Sequence, residues 1–195
     1  KLSCLTHKFV NDTTVTEILS RRQQSSMQQY YNELVDWTDS NLMRINDSKT
    51  KEMIIGSDAA IVAIPPLLSS GSDQIERVDR FKLLGITISR DLKWSDHIDI
   101  ICSKASSRIH FLKLLKRSGV PTADLLHYYV SVIRPTLEYA CPVWHSSITS
   151  EQSDTLENLQ KRALYGLYSN RFIDVSYSTF MWSCHYCLSL IKGNS

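Results

Sequence analysis

"HKFVNDTTVTEIL", residues 7–19, decides how the rest of the chain is read. A short run ending in Phe9 and Val10 meets Asn11-Asp12. A second run rich in β-branched residues follows, with Thr13, Thr14, Val15, Thr16 and Ile18. β-Branched side chains fit a pleated strand, while Asn and Asp bond back to their own backbone and favour turns. The stretch therefore predicts two short strands around an Asn11-Asp12 turn. An acidic hairpin tip also has a chemical reading, because adjacent carboxylates can hold hard divalent cations. Here one of the two positions is a neutral amide. Three readings stay open at this point: a working metal site, a broken one, or a plain turn.

Working outward, Ser25 and Gln28 form a capping-box pattern. A helix is expected behind it, with Met27, Tyr30, Tyr31, Leu34 and Val35 on one face and an end near Asn41. A turn around Asn46–Ser48 and a strand over Glu52–Ile55 follow, stopped by Gly56. Residues 57–80 read as loop, punctuated by Pro65-Pro66 and "SSGSD" at 69–73. "RFKLLGITIS", residues 80–89, alternates as a strand should, and Gly85 marks a bulge or a close backbone approach.

From Trp94 the period becomes helical. Ser95 is the expected N-cap, with Asp96 and Asp99 near the positive end of the helix dipole. Ile98, Ile101, Ala105, Ile109 and Leu112 recur at helical spacing up to Gly119. Pro121 opens a second helix whose face is Leu125, Leu126, Tyr129, Val130 and Ile133. Arg134-Pro135 is expected to kink or divide it. Thr149 with Gln152 repeats the capping box, and a third helix buries Leu156, Leu159, Ala163 and Leu167. Strands followed by helices imply an α+β fold with a boundary near 90–94. The helices are expected to be compact, and residues 1–90 marginal alone, because a short sheet leaves its edges open.

The 195 residues suffice for one sizeable domain or two small ones. A formal net charge of +2 neither demands a nucleic-acid partner nor argues against one. Five scattered cysteines, an odd number, suggest reduced thiols and an intracellular protein of nucleus or cytoplasm. The chain opens on Lys1 without a signal-type leader and is expected to be a piece of something longer. The uncharged run 175–191 holds four Ser, one Thr and one His. It falls short of the roughly 20 apolar residues a membrane span needs, so no membrane partner is expected. Cys184-His185-Tyr186-Cys187 lacks the second ligand pair of a structural zinc site. His7, His97, His110, His127 and His145 are scattered singly, with no nucleophile–base pattern to join them.

Four stretches line up in order: "KFVNDTT" (8–14), "LVDWTDSNLMRINDSKTKEMIIG" (34–56), "IERVDRFKLLGITISRDLKWSDHIDIICSKA" (75–105) and "YYVSVIRPTLEYACPVWHSSIT" (128–149). Together they resemble the C-terminal half of the reverse transcriptase of a non-LTR (LINE-type) retrotransposon, over residues 7–168. The resemblance implies a right-hand polymerase that copies RNA into DNA with two Mg²⁺ ions, its partners being an RNA template and a DNA primer. It assigns residues 1–90 to the C-terminal part of the palm, a β-hairpin, a helix and antiparallel strands, and 94–168 to a three-helix thumb-like subdomain. Residues 169–195 are a divergent tail. It reads Phe9-Val10-Asn11-Asp12 as the aromatic-x-Asp-Asp motif, with Asn11 and Asp12 at the catalytic positions and Asp12 as metal ligand. It makes Lys49 the lysine that follows the motif, and Phe81–Gly85 the primer grip, with Phe81, Leu84 and Gly85 as contact residues.

Two-metal phosphoryl transfer needs carboxylates that bridge the ions. In the family the first Asp is the main ligand, and that position is Asn11 here. The family's fingers and upstream catalytic Asp are not in this chain. The expectation is that the chain as given does not polymerise, and that Asn11-Asp12 is a turn in the right place. Lys49 then reads as a solvated lysine, since a general acid must reach the reacting atoms. Lys104, Arg108, Lys113, Lys116 and Arg117 form an acid-free run. At 100° per residue they do not make one stripe. The resemblance favours Lys104, Arg108, Lys113 and Arg117 as nucleic-acid contacts over plain solvation. Trp94, Tyr128, Tyr129 and Trp144 read as core before stacking platforms.

Two other readings stand beside this one. One is a nucleic-acid-binding remnant without catalysis. The other starts from residues 75–117, which also look like a module labelled as the N-terminal region of an AlkB-like tRNA-modifying dioxygenase or methyltransferase. Iron chemistry of that kind needs two His and a carboxylate on one face of the metal, and nothing here supplies a His-x-Asp with a distant His in a plausible barrel.

Overall fold

The computed structural model describes residues 4–20, 23–56, 65–71 and 73–167. The expected tail 169–195, the uncharged run 175–191 and the Cys184–Cys187 cluster lie outside the described residues. The chain is mixed α+β and divides into two compact units. The first is Lys1–Phe81 with Ser89–Leu92, the second Lys82–Ile88 with Lys93–Ser195.

In the first unit, β1 (Leu5–Phe9) and β2 (Asp12–Thr16) form an antiparallel hairpin. Phe9 pairs with Asp12, so the turn is Val10-Asn11 and not Asn11-Asp12 as the sequence suggests. Val10 sits at φ 53, in the left-handed region. That conformation costs about 1–2 kcal/mol for a residue with a Cβ, which the cross-strand pairs offset.

Helix α1 (Met27–Ser40) buries Tyr31 and Thr38. Its expected Ser25–Gln28 capping box does not form. Gln28 is taken by the backbone of Ser69, receiving its N–H at 2.7 Å and donating to its carbonyl at 3.0 Å. Glu17 caps the helix start instead: its carboxylate accepts the Ser25 hydroxyl at 2.6 Å, the Ser26 hydroxyl at 2.6 Å and the Ser26 N–H at 3.0 Å. Burial alone would raise the Glu17 carboxyl. The bonds from Ser25, Ser26 and the Met27 backbone outweigh it and hold the group below its usual range.

The remaining strands of this unit are short. The expected strand Glu52–Ile55 is only β3 (Lys51–Glu52), and it pairs in parallel with β6 (Glu76–Arg77), not antiparallel. Ion pairs between directly opposite residues support that register, Lys51–Glu76 at 2.6 Å and Arg77–Glu52 at 2.9 Å. β4 (Ser69–Ser70) pairs antiparallel with β5 (Asp73–Gln74). β7 (Arg80–Leu83) and β8 (Ile86–Ser89) form a further hairpin. Leu84 at φ 47 and Gly85 at φ 88 make its two-residue turn. The described strands thus form four separate pairs and no continuous sheet.

The second unit holds both apolar clusters. Helix α2 (Ser95–Arg117) buries Ile98, Ile101, Ala105, Ile109 and Leu112, as the period predicts. Ser95 is the first helical residue and not the N-cap. Its hydroxyl accepts from Gln152 Nε2 at 3.1 Å. Helix α3 (Thr122–Tyr128) runs through a π-helical turn, Tyr129–Ile133, into α4 (Arg134–Glu138). Pro135 has no N–H for the carbonyl of Ser131, and its ring crowds that carbonyl. The hydrogen bonding steps out, with the Arg134 N–H donating to Tyr129 O. The buried positions become Leu125, Tyr129, Ile133 and Leu137, spaced by four, and Val130 is left 41 % exposed.

α5 (Cys141–Trp144) and the turn His145–Ser147 lead to α6 (Ser150–Leu167). Its capping box is realised in both directions: Thr149 N–H to Gln152 Oε1 at 2.9 Å, and Gln152 N–H to Thr149 Oγ1 at 3.2 Å. Leu159, Ala163 and Leu167 are buried as expected, and Leu156 packs beside them. Trp144 and Tyr129 are core, with Trp94 and Tyr128 packed against it.

Among the described residues, the first unit buries only Tyr31, Thr38, Ile75 and Ser89. Limited proteolysis should therefore cut residues 4–81 before 95–167, read by mass spectrometry of early fragments. Early cuts within α2 to α6, with α1 protected, would reverse this picture. Glu17→Gln should destabilise the α1 start by about 1 kcal/mol at neutral pH. In the native chain that contribution is present above pH 4.5, the ordinary value of the carboxyl, and is lost as pH falls through its lower folded value. Amide exchange at α1 from neutral to acid pH, in both proteins, checks it.

Candidate nucleic-acid interface

Asn11 and Asp12 lie at the tip of a two-stranded hairpin, and both are exposed, as are Phe9 and Val10 beside them. Glu17, at the foot of the same hairpin, is committed to Ser25 and Ser26. Among the described residues no three His, Cys, Asp or Glu side chains come together as a metal site. A lone exposed carboxylate beside an amide does not fit a pair of Mg²⁺ ions, which need bridging carboxylates.

Lys49 follows an Asx turn. Asn46 Oδ1 accepts the Ser48 hydroxyl at 2.7 Å and the Lys49 N–H at 3.2 Å. The Lys49 side chain is exposed, and no hydrogen bond or ion pair among the described residues joins it to Asp12.

Phe81 is partly buried in β7 and groups with the first unit. Leu84 and Gly85 group with the second, where Leu84 is 44 % exposed. The Tyr139 hydroxyl donates to Leu84 O at 2.8 Å. A Cβ on Gly85 would lie 3.0 Å from the Tyr139 ring, so Gly85 is needed for close approach as well as for its turn.

The five cations of α2 separate into two sets. Arg108 is partly buried, and its Nη1 donates to Val132 O at 2.9 Å, inside the π-helical turn. Lys116 Nζ donates to the last carbonyls of α6, Gly166 at 2.6 Å and Leu167 at 3.4 Å. Lys104, Lys113 and Arg117 are exposed. Lys113 and Arg117 are neighbours at i and i+4, while Lys104 lies on the other side of the helix. Sequence reasoning missed the exposed apolar residues beside Lys104, namely Ile100, Phe111 (58 % exposed) and Leu114. Helical spacing from Lys104 would have found them, because 100, 104, 111 and 114 share a face. It also missed His97, buried between Trp94 and Trp144 and flagged only by the Trp94/Ile98/Ile101 spacing.

No family model, curated protein or solved structure matches the chain. Among the described residues, no helix is long and apolar enough to cross a membrane.

The geometry of the hairpin predicts that calorimetric titration with Mg²⁺ gives no saturable binding. Asn11→Asp should not change that, since it adds only a neighbouring carboxylate on an exposed tip. Saturable binding to the unaltered chain would restore the metal reading.

Proposed function

We propose that this chain is a nucleic-acid-binding segment related to the palm and thumb of a non-LTR retrotransposon reverse transcriptase, and that it acts without catalysis. The observation that carries the binding reading is the acid-free run from Lys104 to Arg117, with Lys104, Lys113 and Arg117 exposed on one long helix. Cations held on a rigid helix suit a phosphate backbone, and neutralising phosphates releases counterions. The ordered family stretches of the sequence support an RNA–DNA hybrid as the partner. The reading without catalysis rests on Asn11, which brings no charge to the position where two-metal chemistry needs a carboxylate. Arg108 belongs to the fold in this proposal, because its guanidinium is committed to Val132 O.

Fluorescence anisotropy with an RNA–DNA hybrid, repeated over a salt series, tests the proposal. Log affinity should fall with log salt at a slope of about −2 to −3, near 0.9 for each of the exposed cations. Lys104→Glu with Arg117→Glu should flatten the slope and weaken binding, by roughly tenfold or more at low salt. Arg108→Ala should instead lower stability. A slope near zero in the unaltered chain would sink the binding reading.

A further inference from the structure

We propose that His97 is a proton-operated latch: its Nδ1 holds the Thr87 N–H on the open edge of β8, and protonating the ring releases the β7–β8 hairpin tip from α2. The inference stands apart from the nucleic-acid reading.

The tip, Lys82–Ile88, belongs to the helical unit. In a hairpin with a two-residue turn, Leu83 and Ile86 flank the turn and N–H directions alternate along each strand. The Thr87 N–H therefore points away from β7, where an edge strand has no ladder partner. It meets His97 Nδ1 at 3.3 Å. An acceptor nitrogen carries no proton, so the neutral ring bears its proton on Nε2. That nitrogen is buried without a hydrogen-bond partner. The ring stands edgewise to Trp94 at 6.0 Å and to Trp144 at 5.8 Å, and the residue is 2 % exposed. A proton added at Nδ1 turns the acceptor into a donor facing a donor, and the Thr87 contact is lost.

Burial first, and the charge of Lys104 second, push the His97 imidazole below its ordinary 6.5, so the latch stays closed at neutral pH. From β8 the ring meets Thr87, from the turn before α2 Trp94, and from α5 Trp144. The titratable groups on those flanks are Lys93, Asp96, Cys141 and His145, and Lys104 is the charge that acts on the ring. The second anchor of the tip, the Tyr139 hydroxyl on Leu84 O, does not involve the imidazole. Release at Thr87 would leave the tip pivoting on Tyr139.

Residue-resolved amide exchange on the full chain tests this. Protection of the Thr87 amide, corrected for the intrinsic pH effect, should fall roughly five- to tenfold between about pH 7.5 and about pH 5. The amides of Ile101, Ala105 and Ile109 should hold. His97→Phe should show the low Thr87 protection at both pH values. Constant Thr87 protection across the range in the unaltered chain overturns the proposal. So does parallel loss across α2, because titration would then unfold the unit instead of freeing the tip.

Discussion

The helical unit is organised by one buried stripe on α2, running from Ile98 to Leu112. Ala105 at its middle and Ala163 on α6 are both fully buried, and they belong to the same cluster. Small side chains there let the two helices approach closely, so larger neighbours such as Ile109, Leu112 and Leu159 can interdigitate around them. The α3–α4 segment packs its own stripe into the same cluster. Trp144 closes one end of α2 with Ile98 and Ile101, and its indole N–H reaches Tyr139 O at 3.0 Å. Taking that stripe out of water is what holds the helices in one unit.

Backbone carbonyls left over by this packing decide which cations the surface keeps. Pro135 costs the helix its bond to Ser131 O, and the next carbonyl, Val132 O, lies in the π-helical turn. Arg108 Nη1 and Thr136 Oγ1 satisfy it, each at 2.9 Å. The last carbonyls of α6 would be orphaned in the same way, and Lys116 takes them. A carbonyl without a donor is costly, so both cations are committed to backbone oxygens, Arg108 partly buried and Lys116 still exposed. A charge count on α2 overstates its electrostatic reach for this reason.

The helical half was the more legible in the sequence. Ile98, Ile101, Ala105, Ile109 and Leu112 sit at helical spacing, and each is buried. The Thr149–Gln152 capping box reads directly, because both partners are local. The Ser25–Gln28 box fails because Ser69, 41 residues away, offers Gln28 a pair of backbone partners. Glu17 fills the gap from eight residues upstream of Ser25. Non-local competition of that kind leaves no trace in local spacing. The face that opens on α3 is legible at Leu125, Tyr129 and Ile133, yet Val130 is exposed, since a period of 3.6 does not anticipate the π-helical turn. At the candidate site, Asn11 and Asp12 could be placed on a hairpin from β-propensity alone. Which two residues form its turn could not, because a one-residue shift of register conserves every β-former.

The turns carry a further consequence. Val10, Leu42, Leu84, Leu92 and Ala140 all adopt left-handed backbone angles that glycine or asparagine would hold with less strain. Each such residue is a place where the chain lies short of its attainable stability. The fold tolerates them because the elements on either side are set by ladders and packing. The room for improvement therefore sits at the corners of the molecule and not in its interior, where Ala105, Ile133 and Ala163 leave no surface to gain. A lineage under pressure for robustness could draw on those corners one at a time, without touching α2 or the residues proposed to meet a partner.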